Sequence, residues 1–178
     1  MLAEFSPDVA LLRGIDISLA GRLAIEADGA GVIRTITVDV TGGAGALNLP
    51  GILPVLHKVR SVSAHASVDV ATRTTRLSSV DIDLAVAKVS IVGDGTRNSQ
   101  GQTFSGRAEV RNIPVDRLGD YWPIDFAAGG REWALANLSG GTLEIATEFG
   151  LSAPGGDLAQ LAITRSAALL DYRGMTVH

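Results

Sequence analysis

VSAHASVDV, residues 62–70, decides how this chain folds. Val62, Ala64, Ala66, Val68 and Val70 alternate with Ser63, His65, Ser67 and Asp69. Successive side chains of an extended strand point to opposite sides, so this alternation predicts a strand with one apolar and one polar face. VDIDLAVA, residues 80–87, repeats it, with Val80, Ile82, Leu84 and Val86 set against Asp81, Asp83, Ala85 and Ala87. The same period recurs in IDISLAGRLAIEA from Ile15, in IRTITVDV around Ile36, Val38 and Val40, in FSGRAEV from Phe104, in LEIATEFGL from Leu143 and, more weakly, in LAITRSA from Leu161. Seven to nine strands are expected.

Glycine-rich segments separate them. ADGAG (27–31), TGGAGALNLPG (41–51), GDGTRNSQG (93–101) and APGGD (153–157) read as turns, and their short spacing predicts antiparallel hairpins between sequence neighbours. PGILPVLHKV (50–59) has room for one helical turn between its prolines. Helical signal is confined to two places. PVDRL starts on Pro114 and is expected to stop at Gly119, and REWALANL (131–138) follows Gly129 and Gly130 and stops before Gly140 and Gly141.

This helical region also holds half of the aromatic residues. The chain has four Phe, two Tyr and two Trp, and Tyr121, Trp122, Phe126 and Trp133 all fall within residues 120–141. Large rings placed where strand periodicity breaks and then resumes are expected to anchor two short helices over an edge or end of the sheet. A stacking or sugar-binding platform formed with Arg131 is the alternative. The expected architecture is mainly β: a curved, gutter-like antiparallel meander with two short helices capping one edge or end. Residues 1–111 form the Gly-punctuated meander, 112–141 the helical aromatic cap, and 142–178 further strands of the same sheet. Two short helices cannot cover so many one-faced strands, so the sheet either folds on itself or leaves apolar surface for a ligand.

Composition removes several classes of function. The 178-residue chain has no cysteine, which excludes disulfides, thiolate metal sites and a cysteine nucleophile. Its net charge is −4 and its 15 basic residues are scattered, so no nucleic-acid footprint is present. The N-terminus carries Glu4 and Asp8 where a signal peptide would place cations and an unbroken apolar run, so the chain is expected to be soluble as it stands. Its ending on Val177 and His178 suggests a piece of something longer.

Catalytic and metal-binding patterns are weak. His57, His65 and His178 lie in separate contexts and read as solvated; neither GxSxG nor HExxH occurs. GGAGALN (42–48) has Asn48 at the third glycine position of a dinucleotide loop and Pro50 where a helix should begin, so it reads as a turn. Asp94, Thr96 and Asn98 imitate the start of a calcium loop, but Ser99 replaces its glycine. Asp81 and Asp83 share one strand face and read as solvated carboxylates rather than an acid–base pair. NLS (137–139) matches a glycosylation acceptor without a secretory signal to support it. No enzyme activity, cofactor or metal is therefore expected.

IPVDRLGDYWP followed by REWALANLSGGTLEIA resembles the repeated central region of the AsmA-like envelope proteins, in particular the YhdP branch. The matching positions are Tyr121, Trp122, Pro123, Arg131, Trp133, Asn137, Gly140 and Gly141, and the likeness spans about residues 110–178. These motif residues are expected to be structural. The resemblance implies a segment of a periplasmic protein, anchored in the inner membrane by parts outside this chain, that moves phospholipids toward the outer membrane and supports outer-membrane homeostasis. It implies an apolar groove for phospholipid acyl chains, with neighbouring repeats and envelope proteins as further partners. Val62, Val68, Val70, Val80, Ile82, Leu84 and Val86 are the candidate lipid-facing or core positions. A scaffold of the envelope with a closed β-core and no groove is the competing expectation.

Overall fold

A computed structural model describes residues 14–51, 53–124, 127–156 and 160–178. The chain runs through β1 (Ile15–Ala27), β2 (Ile33–Leu47), β3 (His57–Val59), β4 (Ser61–Asp69), β5 (Thr74–Leu84), β6 (Ala87–Asn98) and β7 (Gly101–Pro114). A 3-10 turn (Val115–Arg117), α1 (Leu118–Tyr121), α2 (Ala128–Asn137) and β8 (Leu138–Ser139) follow, and β9 (Thr142–Pro154), β10 (Ala162–Arg173) and β11 (Thr176–Val177) complete the chain.

The sheet is an antiparallel meander in the order β1-β2-β4-β5-β6-β7-β9-β10, with β3 beside β2. It does not close, because β1 and β10 lie at opposite ends of that order. Short side chains at the strand ends build its hairpins. Asp28 accepts hydrogen bonds from the Ala30 and Val32 amides, Asp69 from Thr72, Asp83 from Ala85, and Asn98 from Gln100 and Gly101. Asp and Asn can close such local rings with the backbone, which turns the chain within a few residues.

Several boundaries differ from the sequence reading. The alternation in 80–87 is interrupted: β5 ends at Leu84, Ala85 takes a left-handed φ of 67°, and Val86 sits in the turn. Two of the glycine runs expected as turns are largely strand, whereas 28–31 and 155–156 turn as expected. β2 continues through 41–47 with a register shift, and β6 runs to Asn98. In both places the glycines admit larger neighbours. A Cβ at Gly42 would lie 2.7 Å from Val62 and 2.8 Å from Ile17, and one at Gly93 would lie 2.6 Å from the Phe104 ring. The expected helical turn near residue 50 amounts to one backbone bond, from Leu53 N to Leu49 O.

The helices form a long connection between β7 and β9, which pair directly with one another. Helical structure begins at Val115, after β7 has run to Pro114, and α1 continues through Gly119 to Tyr121. α2 starts at Ala128, so Gly129 and Gly130 lie inside it. The buried core is small and sits under this connection: Ala87, Ile113, Val115, Leu118, Ala134 and Leu143, with Tyr121 and Trp122 packed against it. β11 returns to pair with β8, and His178 N donates to Asn137 O, which ties the chain's last residues to the cap.

Candidate functional site

Cross-strand register assigns each side chain to a face. Leu23 pairs with Val38, Val38 with Ala66, Val62 with Ile82, Ile82 with Val89, Val89 with Val110, Val110 with Ile145, and Ile145 with Leu170. Paired residues share a face, so one apolar surface runs without interruption across all eight strands of the meander. The opposite face is polar. Its ion pairs cross neighbouring strands, Arg76 with Asp94 and Arg165 with Glu148, or run along β7, where Arg107 and Arg111 both pair with Glu109. The Arg111 guanidinium, which hydrogen-bonds Glu109, holds that carboxyl below its usual range. Asp81 accepts from Ser90 Oγ at 2.9 Å and Asp83 from the Ala85 amide at 2.9 Å.

The candidate apolar positions are only partly brought together. Val62, Val68, Val80 and Ile82 are half-buried on the apolar face of β4 and β5. Val70 extends the β4 ladder by one bond, its amide donating to Arg34 O, and is 40% exposed. Leu84 is 6% exposed and belongs to the buried capped end, while Val86 points out of the β5–β6 turn region at 40% exposure. Away from the cap the face is open: Leu23 is 61% and Ile25 55% exposed.

The motif residues divide between packing and surface. Tyr121 and Trp122 pack on the core, and the Tyr121 ring lies 4.8 Å from that of His57 at 39°. His57 is buried, not solvated as its sequence context suggested, and its Nε2 lies 3.0 Å from the Asp120 carbonyl oxygen. This contact joins β3 to α1 across the end of the sheet. The neighbouring Arg117 is ion-paired to Asp120 at 2.8 Å, a contact that raises the guanidinium pKa. Arg131 Nη2 donates to Gly119 O at 3.2 Å, linking the two helices.

Trp133, expected to seal the sheet, is 56% exposed, and Asn137 Nδ2 donates back to the Trp133 carbonyl at 2.7 Å. Pro123 follows the end of α1, whereas Phe126 lies outside the described residues. Gly140 and Gly141 both adopt left-handed φ, 67° and 70°, and a Cβ on Gly141 would meet Arg173 O at 2.1 Å. Only glycine fits that combination of dihedral and close approach. Asp116, which the motif did not flag, accepts from Gly140 N at 2.9 Å and fixes the exit from the cap.

At the end of the sheet away from the cap, β4, β5, β6, β7 and β9 all contribute to one cleft of about 860 Å³. Val68, Phe104 and Leu151 supply apolar lining. The Phe104 ring lies over Gly93 and Gly106 and stacks on Phe149, centroids 6.0 Å apart at 25°. Sequence reading placed Phe104 in a strand but not in a site. The signal lay in the alternate glycines of the neighbouring strand, which clear space for a ring on one face.

Comparisons with known families, curated proteins and solved structures find no match. The geometry must therefore carry the functional argument. Among the described residues, no helix is long and apolar enough to cross a membrane. What the site offers is an apolar surface, closed by helices at one end and open along its length, with a polar face behind it. Such a surface binds hydrocarbon without any bond being made or broken.

Proposed function

We propose that this chain is a non-enzymatic segment of an AsmA-like envelope protein, whose open face receives phospholipid acyl chains during transport between inner and outer membranes. The observation that carries the reading is the apolar face spanning eight strands, which beyond the cap no described residue covers. A soluble monomer seldom leaves so continuous an apolar surface in water. An acyl chain lying along it gains about 0.8 kcal/mol for each methylene removed from water, while its headgroup remains hydrated. The resemblance of the cap motif to the AsmA-like proteins supports the same assignment, along with a periplasmic location and an inner-membrane anchor supplied by other parts of the protein.

The test compares adjacent residues of one strand. Val38 lies on the apolar face and Thr37 on the polar face of β2. Native mass spectrometry after incubation with a bacterial lipid extract is expected to show bound phospholipid in the wild type and in Thr37→Asp, and its loss in Val38→Asp with circular dichroism unchanged. A lipid-free, well-folded wild type would reject the reading.

A scaffold role is favoured by a different observation. All of β10 is exposed, and its outer edge has no partner strand among the described residues. Such an edge can accept a strand from a neighbouring repeat or an envelope protein. Concentration-dependent association in analytical ultracentrifugation, abolished by Leu169→Pro, would support it.

A further inference from the structure

The apolar face changes character at its last row, farthest from the cap. Val70 N donates to Arg34 O, Arg97 N donates to Arg73 O at 3.0 Å, and Arg97 pairs with Gln102. These bonds place Arg34, Val70, Arg73, Arg97 and Gln102 next to one another along the distal rim from β2 to β7, with Val70 and Arg73 in the turn between β4 and β5 and Arg73 at a left-handed φ of 55°. Among the described residues of the eight strands, register places charged side chains on the apolar face only at this rim, Arg34 and Arg97, and Arg73 joins them from the turn. The chain as a whole carries a net charge of −4, so the row runs against its average.

Arg34 is already paired with Asp28 at 2.5 Å. Arg73 and Arg97 are exposed, line the 860 Å³ cleft, and make no ion pair with any described residue. The one acidic residue among the cleft's lining is Asp69, whose carboxylate is engaged by the Thr72 amide at 2.8 Å. Two guanidinium groups held close together at one rim repel each other. An anion held between Arg73 and Arg97 would reverse that penalty, and guanidinium groups suit phosphate because they present paired N–H donors to its oxygens.

We propose that Arg73 and Arg97, with the Gln102 amide beside them, form a headgroup clamp for an anionic phospholipid whose acyl chain enters the cleft over Phe104 and Leu151. The proposal rests on the acyl-chain reading above and adds to it the lipid class, the position of the headgroup and an orientation. Tails point toward the capped end, and the phosphate sits at the distal rim.

The test uses the full chain and two lipids of identical acyl composition, phosphatidylglycerol and phosphatidylcholine, offered in vesicles, with bound lipid counted by native mass spectrometry. Phosphatidylglycerol is expected to be retained about tenfold over phosphatidylcholine. That preference should disappear in the Arg73→Gln/Arg97→Gln double variant, chiefly through loss of phosphatidylglycerol. Arg107→Gln/Arg111→Gln removes the same charge from the polar face and should keep the preference. Equal retention of both lipids by the wild type overturns the clamp and leaves the apolar trough standing. Retention of neither lipid overturns both. Loss of the preference in the polar-face variant also overturns the clamp, because it would assign the effect to overall charge.

Discussion

The two ends of the sheet use the same apolar alternation for opposite purposes. At the capped end, Ile113 and Leu143 face Val115, Leu118 and Ala134, and the side chains are sealed from water. At the other end, Val68, Phe104 and Leu151 present the same chemistry to an open cleft, rimmed by Arg73 and Arg97, which make no ion pair among the described residues. What separates them is the long connection between β7 and β9, whose described residues fold back over the capped end. An apolar strand face thus becomes core or binding surface according to what the chain lays over it.

The sharpest way to break this contrast is to cut into each end in turn. Ile113→Ala removes a side chain that is 1% exposed and should cost about 2–5 kcal/mol in denaturant unfolding. Leu23→Ala, on the open face, is expected to change stability by less than about 0.5 kcal/mol. Equal losses would mean that the open face is packed in solution. Gly93→Val tests the region between, because a Cβ 2.6 Å from the Phe104 ring forces either ring or strand to move. Overpacking of that kind costs about 1–3 kcal/mol, so a fall in thermal midpoint is expected, together with weaker lipid retention. His57→Ala deletes the contact between β3 and α1. It should destabilise by about 1–3 kcal/mol and speed hydrogen exchange in α1 before the amides of β2 and β4 respond.

The smallest expected effect is acid sensitivity. The Val32 and Ala30 amides and Arg34 lower the Asp28 pKa, Thr72 lowers that of Asp69, and Arg111 lowers that of Glu109. Each folded-state pKa lies below its unfolded value. The stabilisation is therefore present above the ordinary carboxylate range of about 4 and is lost as pH falls through the depressed values. Asp69 is exposed and Asp28 and Glu109 are partly exposed, so salt should screen much of the effect. Thermal midpoints are expected to be flat from pH 7 to 5 and to decline below about 4, less steeply in high salt.

Much of the sheet was legible in the sequence because a half-buried strand has a period that its residues must obey. VSAHASVD and IDISLAGRLAIEA reappear within β4 and β1. Two of the glycine-rich stretches, 41–51 and 93–101, misled because glycine has two uses. At Gly42 and Gly93 it makes room for a neighbour's side chain within a strand rather than turning the chain. The cap motif was visible as a cluster, but not the division of labour within it: Trp122 packs on the core whereas Trp133 faces solvent. Nor could local context reveal that His57 is buried, since Asp120 and Tyr121 reach it from more than sixty residues away.

By itself, then, the sequence determined the strand faces, the antiparallel meander and the place where helices interrupt it, because these depend on local periodicity and turn chemistry. Tertiary structure alone decided which part of the apolar face is covered and which is open. It also brought Arg73 and Arg97 together at one rim and set Phe104 over its glycines. Those outcomes depend on register between strands and on where a long connection comes to rest, and neither is encoded in the spacing of neighbouring residues.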